Sequence, residues 1–513
     1  MSGNVLAIDL GTTGVKVAIV DDLGRVRGSA GEVLPLIFTN DGGVEQDANG
    51  WWDAIGRCAR QALPQSGLTG GDIALIAVTS QYSSTVAVDS AGRPLANVVM
   101  WMDPRGRRHH PSIANADTRP RWLELHGLSP SGNDDIGHIA FIQAEWPDVY
   151  AAAAAFVEPM DCIAARLTGA ITATQNTVFP MLSVDNRTWG ATAYSEELLV
   201  MSTIDAAKLP PLVPMGAPRG LITAAAAEHL GVSTRAVVAD ATIDSVTSAV
   251  GTGATDSTGC GLIIGTTSVM ATHLPSKRHD RSHGLTSAPS PLPDAHLLVA
   301  ENGVGGKALD VFVNNIVYPD DNLGTVAPPD AFERVLLAAA TARCGSDGVM
   351  FLPWLIGSMA PKYHGRTRGG FVNLGLDSRR RDMARAVLEG VAMNAAWLLP
   401  HFSALAAHSY DEVGFGGGGA GSALWGQILA DCFGVPVRRL ANSTSTNAHG
   451  AALLAFVATG HVRLDEVRSM LTTAQVHEPE PSATALYSRL LPAFIDFHDR
   501  AAPFYDSLDA PED

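Results

Sequence analysis

One ten-residue pattern occurs twice in this chain and constrains its fold more than any other feature. Leu6-Ala7-Ile8-Asp9-Leu10-Gly11-Thr12-Thr13-Gly14-Val15 is echoed by Cys260-Gly261-Leu262-Ile263-Ile264-Gly265-Thr266-Thr267-Ser268-Val269. Each is an apolar strand, then Gly-Thr-Thr, one small residue and Val. Gly11 and Gly265 lie 254 positions apart in a chain of 513 residues, about half its length. The echo predicts two related halves, each presenting a hairpin loop to a shared cleft. Length agrees, because a single hydrophobic core stops growing near roughly 250–300 residues. The expected units are 1–250 and 251–513, with a turn-like boundary at Gly251-Thr252-Gly253.

Periodicity supplies the fold class. Val5–Ile8 is a continuous apolar run, which suits a strand buried on both faces. Val15–Val20 is a second strand, Asp21-Asp22-Leu23-Gly24 is turn chemistry, and a third short strand follows, giving a meander. Met383, Val387, Val391, Ala395, Leu398 and Phe402 recur at helical spacing. Leu424, Ile428, Leu429 and Cys432 do the same before Gly434 and Pro436 stop that helix. The Ala-rich stretches 151–156 and 223–227 favour helix, as does the pattern 486–497, while 278–296 reads as a surface loop. Strands at Ala74–Val78, Val237–Ala239 and Leu262–Ile264 alternate with these helices, so the class is α/β.

Charge then removes whole classes of function. Thirty-five Lys and Arg against 52 Asp and Glu leave a net charge of −17. That balance argues against a nucleic-acid or anionic-membrane binder, because both need a basic face. No apolar run reaches the roughly 18 residues of a spanning helix. The Met1-Ser2-Gly3-Asn4 start has no basic flank or cleavage site, so no secretory leader is expected. Five scattered cysteines with no C-x-x-C read as reduced core residues of a cytoplasmic protein. The histidines show no metal-site spacing.

Three glycine loops could hold phosphate. In Asp9-Leu10-Gly11-Thr12-Thr13-Gly14, backbone N–H groups and Thr hydroxyls can converge on an anion. Asp9 would repel bare phosphate and makes sense with Mg²⁺ between them, while Lys16 adds positive charge. A tight hairpin turn would use the same residues. Gly265-Thr266-Thr267-Ser268 offers donors without an acid, which suits the other end of a polyphosphate. Gly414–Gly421 lets backbone approach a flat ligand. It formally contains G-x-G-x-x-G, but no acid follows about 20 residues later, which disfavours a dinucleotide site and an oxidoreductase. The only Gly-Lys pair, Gly306-Lys307, is followed by Ala308, so a Walker A loop is absent. After Val237–Ala239 come Asp240, Asp244 and Asp256. A carboxylate that accepts a hydroxyl proton would serve transfer to an alcohol. Spacing leaves Asp240 and Asp244 open, and an Asp at a helix start is also an ordinary cap.

In this order the motifs resemble the FGGY family of carbohydrate kinases over about residues 4–460. The matching pieces include Asp9–Thr13, Glu45-Gln46-Asp47 with Trp51-Trp52, and Trp101-Met102-Asp103-Pro104-Arg105. Asp161 with Leu167-Thr168-Gly169, Gly265–Ser268, Arg385–Gly390, Gly417–Ala420 with Gln427 and Ala430-Asp431, and Gly450–Ala452 complete the set. The resemblance implies two actin/hexokinase-like (ribonuclease H-like) domains that close on ATP and a sugar in the cleft between them. It implies Asp9 at Mg²⁺. It places Gly11, Thr12, Thr13, Lys16, Gly265, Thr266, Thr267, Gly306 and Asp310 near the nucleotide, with Gly418, Gly419 and Ala423 at its adenine end. It selects Asp244 as catalytic base, and puts Gln81, Tyr82, Ser83, Asp103 and Arg105 with Asp244 at the substrate.

Ser80-Gln81-Tyr82-Ser83-Ser84 departs from the family's patterns. The Arg-Glu pair of glycerol kinases and the Met-His pair of xylulokinases are both missing. The expected activity is ATP-dependent phosphorylation of a hydroxyl on a small carbohydrate, first a ketopentose such as D-xylulose. Gluconate or another ketose or polyol is the alternative, and a non-catalytic actin-like ATP-binding module is the alternative of a different class. The expected partners are a small sugar or polyol and ATP, with no nucleic acid and no membrane. A homodimer is left open by one sequence.

Overall fold

The computed structural model describes residues 3–508. The Met1-Ser2 start and the end of the 251–513 unit, from Asp509 onward, lie outside the described residues. Strands β1 (Asn4–Gly11), β2 (Gly14–Val20) and β3 (Val26–Val33) form the expected antiparallel meander. Strands β4 (Ile73–Ser80), β5 (Gly220–Leu221) and β6 (Val237–Ile243) extend it to a six-stranded sheet of order β5-β6-β4-β1-β2-β3. β4 runs parallel to both β1 and β6. The apolar residues of β1 and most of those of β4 are buried because helices cover the sheet. One of these is α1 (Ala48–Ser66), capped by the Asp47 carboxylate and ended by Gly67 at φ 71.

The second half repeats the plan. β7 (Cys260–Ile264), β8 (Thr267–Leu274) and β10 (His296–Val304) make an antiparallel meander, with β9 (Thr286–Pro289) at its edge. β11 (Val413–Gly416) and β12 (Val437–Leu440) join in parallel, and β13 (Thr473–His477) closes a seven-stranded sheet of order β9-β10-β8-β7-β11-β12-β13. In each half a meander is followed by two parallel strands. The two hairpins nevertheless differ by one residue in register. Gly11 pairs with Gly14 across the Thr12-Thr13 turn, whereas Ile264 pairs with Ser268.

Each fifth core strand feeds a helix. β6 runs into α2 (Asp244–Thr252), and β12 leads to α6 (Thr446–Ala458). Between these in sequence lie α3 (Gly306–Phe312), α4 (Arg380–Ala406) and α5 (Ala423–Phe433), with α7 (Pro481–Leu508) last. α2 and α6 cross at touching distance. A Cβ on Gly450 would sit 2.0 Å from the Thr247 carbonyl oxygen, and one on Gly251 would sit 2.3 Å from that of Thr446. Glycine is required at both positions because backbone occupies the space of a side chain. α6 also packs on β1 and β4, so Ala448, Leu453 and Phe456 share a core with Val5, Ile8 and Val246. A second core gathers Leu262, Val387, Phe415 and Leu429.

Three local expectations need correction. Gly251 and Thr252 end α2, and only Gly253, at φ 87, turns the chain. The stretch 151–156 divides between the end of a helix, Pro147–Ala152, and a strand, Ala155–Val157, where Phe156 is drawn into an apolar core. The stretch 278–296 contains β9, held by pairing with β10. Alanine content and Pro/Ser composition cannot report such non-local pairing. All five cysteines are free, and Cys58, Cys162 and Cys260 are buried. Among the described residues no helix is long and apolar enough to cross a membrane.

Candidate active site

The β1–β2 hairpin is held from outside. The Gln46 amide donates to the Thr12 carbonyl (2.9 Å), and the Trp101 indole donates to Thr12 Oγ1 (3.0 Å). Gln46 is in turn fixed by the Trp51 indole, which donates to Oε1 (2.8 Å). Two tryptophan motifs of the sequence therefore set the first phosphate-type loop.

Asp9 precedes the turn on β1, with Lys16 opposite it in the ladder. Its carboxylate is buried, and Oδ1 has no hydrogen-bond partner. Burial raises its pKa to about 6, against the pull of Lys16 and the Asn447 amide on α6. Asp244, first residue of α2, faces it. Burial, then the Asp9 charge, raises Asp244 to about 7, with Ser245 opposing and Glu301 adding to the rise. The start of α2 is fixed by Asn176, whose Oδ1 accepts from Ile243 N (3.1 Å) and Thr242 Oγ1 (2.6 Å). Asp240 is spent elsewhere. Arg219 Nε and Gly216 N donate to its two oxygens at 2.9 and 2.7 Å, and Arg219 also binds Asp161. Of the two aspartates left open by spacing, Asp244 is the one beside Asp9.

The Ser80–Ser84 segment enters the same space from the end of β4. The Tyr82 hydroxyl lies 3.5 Å from Ser245 Oγ, and burial together with the Asp244 charge pushes its pKa up. Gln81 is buried. Its Oε1 accepts from Ser84 Oγ (2.7 Å), while its Nε2 has no partner. Ser83 adopts φ 63, a strained value for a non-glycine residue. Glu158 Oε1 and Oε2 hold the turn by accepting from Ser83 N (3.1 Å) and Ser84 N (3.4 Å). Burial and the neighbouring Asp135 keep Glu158 well above the usual carboxylate range.

The second half brings the remaining loops. Gly306 N donates to the Gly265 carbonyl (2.7 Å) and Gly305 N to that of Thr266 (3.0 Å), which seats the start of α3 on the β7–β8 hairpin. A Cβ on Gly306 would meet the Gly265 oxygen at 2.6 Å. The Gly417 loop leans on the same hairpin, since Cβ atoms at Gly417 and Gly419 would strike Ile264. A Cβ on Gly418 would meet nothing, and Ala423 is exposed at the start of α5. Gly417 N donates to the Ser443 carbonyl (3.0 Å), just before α6, which carries Asn447. Thr267 opens β8.

Two groups of expected residues are engaged differently. Asp103 and Arg105 form a buried network, with Arg105 bound to Asp103 (2.7 Å), Glu45 (2.8 Å) and Asp41 (3.2 Å). Asp103 Oδ2 also accepts from Val44 N (2.8 Å). The network ties residues 41–46, which carry Gln46, to 101–105, which carry Trp101. Asp310 turns to Lys307 on its own helix and to Asn314 just beyond its end.

Glu301, Glu158 and Asn447 were not anticipated. Glu301 lies on β10 of the second half, and its charge adds to the rise at both Asp244 and Tyr82 of the first. Burial raises its own pKa. A lone acid within a strand carries no motif, and only the pairing of the two halves brings it to the cleft.

Two meander-plus-parallel sheets around a cleft lined by acidic groups and glycine loops define a phosphotransferase of the actin/hexokinase-like class. The N-terminal domain of the FGGY family of carbohydrate kinases matches residues 4–251, and its C-terminal domain matches residues 260–459. The chain belongs to the FGGY family and is an ATP-dependent carbohydrate kinase. It is 26% identical over 495 residues to a xylulose kinase of Staphylococcus epidermidis, covering 94% of each chain. It is 28% identical over 519 residues to a glycerol kinase of Janthinobacterium sp., covering 96% of this chain and 97% of the other. The gluconate kinase structure from Lactobacillus acidophilus superposes with a TM-score of 0.84 at 23% identity, over 99% of this chain and 100% of that one.

Proposed function

We propose that the cleft transfers the terminal phosphoryl group of ATP to a hydroxyl of a small neutral ketose, with D-xylulose the first candidate. The observation that carries this reading is Asp244, half-buried beside Asp9, with a pKa raised to about 7. A carboxylate tuned near neutrality can take a hydroxyl proton as the oxygen attacks. The two hairpins and the Gly417–Gly419 loop supply backbone N–H groups to orient phosphates. Asp9 would hold Mg²⁺, since its buried Oδ1 is a hard oxygen donor without a partner. When bound, that ion neutralises charge on the phosphates.

The sugar reading rests on Gln81, Tyr82 and Ser83. The unpartnered Gln81 Nε2 is a donor for a substrate oxygen, and Tyr82 offers a ring face and a hydroxyl. The segment Ser80–Ser84 contains no cation, which favours a neutral sugar over a sugar acid. Named xylulose kinases among the relatives support the same choice. Domains 1–250 and 251–513 closing on the ligands would exclude water as competing acceptor.

A coupled ADP-release screen over pentuloses, hexuloses, polyols and aldonates, with and without Mg²⁺, tests the proposal. The greatest kcat/KM is expected with D-xylulose, and only with the metal. Greater turnover of an aldonate would replace the sugar assignment. Metal-independent turnover would remove Asp9 from its role.

A further inference from the structure

A groove of about 700 Å³ opens between the halves, walled by residues 110–131 of the first and 277–287 of the second. It shares no residue with the cleft at Asp9 and Asp244. Arg119, Lys277, Arg281, His110 and His279 line it, and none of its lining residues is acidic. In a chain of net charge −17 this is a local reversal of sign.

Arg119, Lys277 and Arg281 make no salt bridge among the described residues. Lys277 Nζ donates to the His126 carbonyl (2.6 Å) and Arg281 to the Leu123 carbonyl (2.8 Å), both neutral acceptors. Arg119 has no side-chain partner among the described residues. The nearby acids are already taken. Glu124 pairs with Arg121 (2.7 Å) and Asp185 with Arg187 (2.7 Å), while Asp280 is hydrogen-bonded to His283 (2.6 Å), an ion pair only when that imidazole is protonated. Crowding registers on the bases themselves. Burial lowers Lys277 to about 8, with Arg281 and Arg187 adding to the fall and Asp185 opposing it. Burial, Arg281 and Lys277 lower His279, with Asp280 opposing.

Two lining residues also carry buried polar atoms without partners. Ser287, 4% exposed, has an unpaired hydroxyl, and His110 has an unpaired Nδ1. Buried polar atoms are normally satisfied, so each marks a contact awaiting a ligand or water. Guanidinium groups bind phosphate oxygens in forked geometry, and a groove of this volume suits a ligand of sugar-phosphate size. We propose that this groove binds a phosphate monoester dianion, gripped by Arg119, Lys277 and Arg281 with Ser287 donating to it. Its two walls come from different halves, so the bound anion bridges them.

Calorimetric titration of the full chain tests the assignment. The probes are inorganic phosphate, D-xylulose 5-phosphate and 6-phosphogluconate, with uncharged D-xylulose as control. Binding to wild type is expected to weaken at least about tenfold in Arg119→Glu. Ser287→Ala should give a smaller loss, with circular dichroism and anion-free turnover unchanged in both variants. Equal affinity for all three anions supports recognition of the phosphate alone, and tighter binding of one ester identifies the source. Both variants alter side chains without recorded hydrogen bonds, so misfolding does not cloud the result. Absence of any binding below about 10 mM, or equal affinity in wild type and Arg119→Glu for every anion, would overturn the proposal.

Discussion

Glu32 and Glu301 occupy equivalent places in the two halves. Each sits on the outer strand of its meander, opposite the valine that follows the hairpin, Val15 or Val269. Glu32 faces outward and binds Arg57 at 2.6 Å, which holds its pKa down. Glu301 faces the cleft, where burial pushes its pKa up. The hairpins diverge in the same way, because the position of Asp9 is taken by Ile263 in the second copy. Repetition thus reproduces the backbone but leaves the chemistry to whichever side chain meets the cleft. One copy carries Asp9 and Asp244, the acids proposed to hold a cation and to act as base, and the other carries mainly uncharged donors.

That division can be broken in graded ways. The largest effect is expected at the first half's helix start. Asp244→Asn should lower kcat by about 10³-fold while ATP affinity, measured by titration, stays within about twofold. Retained turnover would move the base elsewhere. Asp9→Asn should lower kcat/KM by about 10²-fold and raise the Mg²⁺ needed for half-maximal rate. Adding Ile263→Asp to that variant should restore nothing, and any rescue would show that the hairpins are interchangeable.

Stability offers a symmetric case. Gly251→Ala and Gly450→Ala should each cost about 2 kcal/mol, read as a lowered thermal midpoint, because each Cβ meets backbone of the opposite helix. Unequal losses would locate the strain in one half. The smallest effect concerns pH. Asp244 must be ionised to accept a proton, so kcat/KM should rise with pH up to about 7. Glu301→Gln removes a neighbouring negative charge and should shift that limb to lower pH by a few tenths of a unit. Glu32→Gln should leave it in place, and equal shifts would end the contrast between the two glutamates.

Much of this frame was legible in the sequence. The repeated Gly-Thr-Thr strands announced two related halves with a hairpin each, and the apolar spacing of Val387, Val391 and Leu398 announced the long helix α4. The choice between Asp240 and Asp244 was not legible from spacing. It depends on Arg219, 21 residues before Asp240, reaching across to bind it. The family resemblance put Asp103 and Arg105 at the substrate, and the structure shows them bound to each other, with Arg105 also bound to Glu45. The motif works through tertiary contacts that tie down neighbouring loops. Glu301 and Asn447 were invisible because each reaches the site from the other half.

The crossing of α2 and α6 bears on how the gene could be divided. The first family domain ends at residue 251, yet the core it builds includes Ala448, Leu453 and Phe456. A fragment cut at that point would expose the apolar faces of β1 and β4 that α6 covers. The complementary fragment would carry α6 with no groove to receive Gly450. The two coding segments are therefore bound to one reading frame by a contact nearly 200 residues apart. The chain resembles a duplicated protein in which one copy completes the core of the other.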